Sequence, residues 1–436
     1  MKKTLSVPVA VALLSLPGSA VFSQSVTAPK GNANTLLLTA NPVVPKLPLQ
    51  ATTGQATTGA PVTTSIANLT TRGSLTGNVT QSSANTESGD QTLSVAGVER
   101  ASSGGNVSLS GGVSGSVDQI QTGAGTSTQT IGVGSLTDSN VGTARTSASF
   151  SGRGITQNSN GAGGQVAPQT IGIGNISASQ ASSVTTGVSV NGGITQLQNA
   201  SSGGAQSVTA GSVSNASGNV STRSIVNANI DQIKTSSQGV SQTIEVGSVR
   251  GGIGGTLSDI RTNASLDGSA TQTATGASRS TQSLQIGSVV DSRGNTEANA
   301  SSSGAITQTQ SQVDRGSQTI AIGSVEGSTT QTTTQAATTK DITQSATNST
   351  NIDQTITIGS SQDTNAVVTT QAVVTGKLSQ TLENARDSSQ TINLGSVRGA
   401  SGGRATTDTT VSGNITQSAT GSGQRQKVIV GGVEGP

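Results

Sequence analysis

The sequence predicts an all-β protein, a right- or left-handed β-solenoid (β-helix) of about ten 36-residue repeats, preceded by a signal peptide and a proline-containing linker. Three observations carry this expectation. Two short blocks recur in phase along the chain, aliphatic and polar residues alternate within them, and the composition excludes most other folded solutions. Of 436 residues, 30% are hydrophobic and 10% charged, 58 are Gly, and the only aromatics are two Phe. A conventional aliphatic and aromatic core cannot be assembled from this, although the length alone would suggest about two or three ordinary domains.

Residues 1–23 read as a secretory signal. Met1, Lys2 and Lys3 form a basic start, Leu5 to Leu16 an apolar stretch too short to span a bilayer, and Gly18, Ser19 and Ala20 supply small residues for cleavage after Ala20 or Ser23. Without Lys2 and Lys3 the chain carries 20 basic and 20 acidic residues, so the mature protein is formally neutral despite a calculated pI near 9.1. It has neither the basic stripe nor the stacking aromatics that nucleic acid requires. With no Cys there is no lipid-anchoring thiol, and the mature protein is expected to be soluble or surface-attached.

Residues 24–64 are expected to form a linker or tether, because Pro29, Pro42, Pro45, Pro48 and Pro61 crowd there while only Pro168 falls between 62 and 435. Its apolar patches, Leu36 to Leu38 and Val43 to Leu49, suit either a capping strand or a docking peptide for an export pore.

The repeat domain is expected over 65–436. A block of the form Gln-Thr-Ile-x-Ile-Gly-Ser-Val begins at Gln91, Gln129, Gln169, Gln206, Gln242, Gln282, Gln318, Gln354, Gln390 and Gln426, at intervals of 38, 40, 37, 36, 40, 36, 36, 36 and 36 residues. A second block, apolar-x-Gln, ends at Gln81, Gln119, Gln157, Gln196, Gln232, Gln272, Gln308, Gln344, Gln380 and Gln417. In an extended strand Gln354, Ile356 and Ile358 share one face while Thr355 and Thr357 take the other. Every repeat has an aliphatic residue at the Ile356 position, and nine of ten have Gly at the Gly359 position, with Ala96 in the first. Gly there tolerates the positive φ of a corner.

Stacked coils set identical residues above one another at about 4.8 Å, closing aliphatic columns and Gln amide ladders. A single coil cannot bury its face, but its neighbours do so for it. Each ladder amide donates to one neighbouring coil and accepts from the other, and an unpaired one would cost about 1–3 kcal/mol. The Ser/Thr/Ala-rich segment between blocks, such as Ala366 to Thr375, is a candidate third strand; two-sided and three-sided coils both fit. A disordered Ser/Thr/Gly stalk fits the low charge and the many turn formers. It does not account for the phase-locked columns or the scarcity of Pro.

Apolar-x-Gln, a short polar turn, then Gln-x-Ile-x-Ile-Gly, as in Ile342-Thr-Gln344 and Gln354-Thr-Ile-Thr-Ile-Gly359, resembles the strand-turn-strand repeats of curlin-type bacterial fibre subunits. It is also similar to the repeat surface proteins that anchor bacterial holdfasts. The resemblance covers about residues 66–436, with a longer period and a longer chain than curlins have. It implies an extracellular structural protein on the outer surface of a Gram-negative bacterium, working in adhesion or biofilm attachment. Its implied partners are itself or another repeat surface protein, and an outer-membrane export pore.

Catalytic, cofactor and metal residues are expected to be absent. No His or Cys supplies a metal ligand, an imidazole base or a thiol nucleophile. Gly251-Gly252-Ile-Gly254-Gly255 with Asp259 matches a calcium-binding Gly/Asp repeat only once and without the required Asp offset. Asp118 and Asp231 fill the x of apolar-x-Gln in only two of ten repeats and Glu245 stands elsewhere, so these carboxylates form no recurring set and are expected on a solvated face. Thr-x-Thr around Thr271, Thr307 and Thr332 is too irregular for an ice-binding array, and sequons such as Asn175, Asn299 and Asn348 follow from the Ser/Thr content. The competing function class is a polysaccharide-binding or polysaccharide-processing β-helix, although Phe150 is the only aromatic beyond the signal region. The last repeat keeps its pattern through Gln426, Val428, Val430 and Val433, so its coil is expected to present unpaired backbone groups and exposed aliphatic columns.

Overall fold

The computed structural model describes Gln24–Thr27, Asn34–Leu38 and residues 68–435, except for the segments 85–89, 100–101, 123–127, 161–167, 178–179, 200–203, 236–237, 252–256, 293, 329, 365–366 and 400–402. The expected signal, the Val43 to Leu49 patch and the core of the Gly251 to Gly255 motif lie outside the described residues. All described regular structure is β-strand, and every strand pairs in parallel with its counterpart one repeat away. This is a β-solenoid, and from Gln91 to Gln426 it makes nine turns.

The coil beginning at Ile342 shows how sequence becomes side. Ile342–Thr347 belongs to a first sheet and Ile352–Ile358 to a second. Gly359 then turns at φ 57°, the two-residue strand Ser361–Gln362 follows, and Val368–Val374 forms a third sheet before the chain re-enters the first at Leu378. The question of two or three sides is thus settled as three long sheets, with a corner ladder of two-residue strands between the second and the third.

At the turn from the third sheet to the first, coils approach so closely that a Cβ on Gly376 would lie 2.0 Å from the Lys340 carbonyl oxygen. Glycine there is a packing requirement as much as a conformational one.

Alternation decides what faces inward. In Ile352–Ile358 the residues Ile352, Gln354, Ile356 and Ile358 are buried and their neighbours are not, and in Val368–Val374 the inward set is Val368, Thr370, Ala372 and Val374. The main hydrophobic core runs the length of the solenoid, from Leu75 to Leu394, and includes Phe150. Two satellite clusters fill corners. Leu136, Ile176, Val213 and Val249 of the corner ladder pack with Val184 and Val220 of the third sheet, and Val313, Ile352 and Leu382 pack between the first and second sheets.

Repeat-length variation is absorbed mainly where the third sheet begins and also where the first sheet ends. Register shifts fall between Val141 and Thr143, Gln180 and Ser183, Ser214 and Ala216, and Gly218 and Val220 at the start of the third sheet, and between Leu382 and Ala385 at the end of the first. The second-sheet registers stay unbroken, pairing Gln169 with Gln129 across 40 residues as directly as Gln354 with Gln318 across 36. Within the expected tether, Gln24–Thr27 pairs with Val79–Ser82 and Asn34–Leu38 with Gln91–Val95, both in parallel.

Candidate functional site

The first and second sheets carry facing rows of buried glutamine. In the second sheet each Nε2 donates to the Oε1 of the preceding coil at 2.7–3.0 Å, in one chain from Gln426 through Gln390, Gln354, Gln318, Gln282, Gln242, Gln206, Gln169 and Gln129 to Gln91. The first sheet holds a matching row from Gln417 to Gln81 at 2.7–2.8 Å. Both rows point the same way, so the ladders are polar along the axis.

The amide's remaining donor capacity ties the two sheets together. Gln344 Nε2 also donates to the Thr355 carbonyl in its own coil at 3.0 Å, and Gln354 Nε2 to the Thr381 carbonyl of the following coil at 3.2 Å. With both protons and the oxygen engaged, the amide leaves no unpaired group in a low-dielectric interior.

A second interior row escaped the sequence reading. Thr146, Thr186, Thr222, Thr262, Thr334 and Thr370 of the third sheet each donate Oγ1 to a corner Gly carbonyl 25 to 28 residues ahead, at 2.6–2.7 Å. The corner Gly that breaks the second-sheet strand therefore has its carbonyl capped from across the core. The recurring Thr was visible in the sequence only as one among many.

Two charged groups depart from expectation. Glu245, placed by the sequence on a solvated face, has a side chain only 21% exposed, and burial raises its carboxyl pKa against the opposing pull of Arg250 at 3.9 Å. Alternation does put it on the outer side of the second sheet, where it is nonetheless largely shielded from solvent. Lys234 is fully buried at a first-sheet position occupied by Gln198 in the preceding coil and Ala274 in the following one. Its Nζ donates to the Gly204 carbonyl at 2.7 Å, and burial lowers its ammonium pKa to about 8.

The outside is largely small and polar. On the second sheet's outer face the column of Thr319, Thr355 and Thr391 runs beside that of Ala321, Thr357 and Asn393. In the last coil Val428, Val430 and Val433 are 43, 46 and 59% exposed. Among the described residues no cluster of three Asp or Glu is placed to hold a metal ion, and no helix is long and apolar enough to cross a membrane. No family model, curated protein or solved structure matches the chain.

Proposed function

We propose that the chain is a secreted structural repeat protein of a Gram-negative bacterial surface, acting in adhesion, holdfast or biofilm attachment, and that it associates with itself or with another repeat surface protein after passing an outer-membrane export pore. The observation that carries this reading is the pair of one-directional glutamine ladders, in which each coil accepts amide protons from the next in a single register. In the coil of Gln417 and Gln426 the residues Val428, Val430 and Val433 are exposed. A laddered coil of a second chain carries the same donors in the same register, so solenoids of this kind can associate through matching coils. A formally near-neutral chain offers little long-range repulsion against such stacking.

Sedimentation velocity over a rising concentration series tests the reading. It expects species larger than the monomer, reduced by Val428→Asp together with Val430→Asp. A strictly monomeric protein at high concentration, with a deletion strain that adheres normally, contradicts it.

A further inference from the structure

A groove runs along the outside of the solenoid where the second sheet meets the corner ladder. It follows from the corner itself: the positive-φ Gly turns the chain so that the next residue, Ser288, Ser324 or Ser360, becomes a buried floor. One wall is the second sheet's outer column, with Ala321 and Thr357, and the other is the outward residue of each two-residue strand, with Glu326 and Gln362. The groove has a volume of about 180 Å³, is open to solvent along one side and spans the coils from Gln285 to Arg398.

Ion pairs bridge the two walls at both ends. Glu245 of the second sheet reaches Arg250 of the corner ladder at 3.9 Å in the coil before Gln285. Lys427 of the second sheet reaches Glu434 of the corner ladder at 2.9 Å, and Arg398 reaches the same carboxylate at 3.5 Å.

We propose that this groove binds a neutral, extended β-1,4-linked polysaccharide chain lying along the solenoid axis. The strand spacing of about 4.8 Å sets hydroxyl and amide groups on the walls at intervals close to the rise of one sugar unit in such a chain. The three long sheets and the corner ladder already pair through their main chains with the coils above and below, so an incoming peptide strand finds no row of free backbone groups here. One carboxylate, Glu326, and one guanidinium, Arg398, give the lining no net charge to attract a polyanion or polycation. The lining has no aromatic side chain, so each sugar is held by hydrogen bonds alone and binding strength must accumulate along the chain. The four coils between the bridged ends cover roughly 14 Å, which matches about three to four sugar units.

The inference goes beyond the attachment reading and holds for a single molecule as for a fibre. Titration calorimetry of the full chain with cello- and xylo-oligosaccharides of increasing length tests it. Affinity is expected to rise up to about four units and then level, with the more curved malto-oligosaccharides binding at least tenfold more weakly. Ala321→Arg, which fills the groove midway, is expected to cut affinity at least tenfold, while Thr369→Arg on the exposed face of the third sheet leaves it unchanged. Thr357→Lys, a second groove variant, is expected to repeat the loss with melting temperature preserved. Absence of binding by every cello- and xylo-oligosaccharide, equal binding of malto-oligosaccharides, or wild-type affinity in both groove variants overturns it. Sedimentation velocity on the same samples reports self-association separately, so failure of either reading is visible without the other.

Discussion

Thr370 donates its hydroxyl to the carbonyl of Gly395 at 2.7 Å, across the core and 25 residues along the chain. Gly395 sits at φ 54°, in the corner where the second sheet ends, and the Thr334 and Gly359 pair repeats the arrangement one coil earlier. The third sheet is thereby fixed to the second by a side chain as well as by shared apolar packing. Replacing Thr370 by Val keeps the shape and removes the donor, leaving a buried carbonyl without its partner. Thermal or denaturant unfolding is expected to show a loss of about 1–3 kcal/mol, and Thr370→Ser a smaller one.

The ladder predicts a coupling between coils. Gln354→Leu removes the donor to Gln318 Oε1 and the acceptor of Gln390 Nε2 together, and a cost of roughly 2–4 kcal/mol is expected. Because Gln318 and Gln354 share one bond, the double Leu variant should cost less than the sum of the single variants. A double-mutant cycle measures the difference, expected at about 0.5–3 kcal/mol.

The corner predicts opposite signs for two reciprocal substitutions. Ala96 is the one non-Gly residue at this position and adopts φ 53°, so Ala96→Gly should stabilise by up to about 1 kcal/mol. Gly359→Ala should destabilise by more, since its Cβ would lie 2.6 Å from the Gln371 carbonyl oxygen. Chemical denaturation of the two variants checks both signs.

Lys234 predicts a dependence on pH. Its folded pKa of about 8 lies below the ordinary 10.5, so between those values the unfolded chain binds the additional proton and stability rises with pH. Below about 8 both states are protonated and the full cost of burying the charge remains, on the order of 3 kcal/mol. Lys234→Met should therefore be more stable than the parent at pH 7, with the advantage shrinking as pH approaches 10.5. Melting temperatures of the pair across that range test the sign.

The glutamine and aliphatic columns were legible because they recur in phase and because strand alternation assigns Gln354, Ile356 and Ile358 to one face without tertiary information. The corner was legible because nine glycines mark it. The third strand was only a candidate, since its repeats are offset by register shifts such as that between Val141 and Thr143, and its Thr row is broken by Leu109 and Ala298. Glu245 was misjudged for a different reason. Alternation tells inside from outside but not how far an outward side chain is shielded, and Glu245 is shielded beside Arg250 of the corner that follows the strand. Lys234 stands at an interior position whose occupants range from Gln to Ala, which gives no columnar signal.

The central claim is that each coil presents one side to a shared interior and the other to solvent, with the boundary set residue by residue. Thermal unfolding of Ile356→Asp and Thr357→Asp tests it most directly, because the two sites are adjacent and the substituted residue is the same. Ile356 is fully buried between Ile320 and Ile392, whereas Thr357 faces outward. The account predicts a loss of several kcal/mol, on the order of 3 or more, for Ile356→Asp and a near-silent Thr357→Asp. Equal destabilisation by the two substitutions would contradict it.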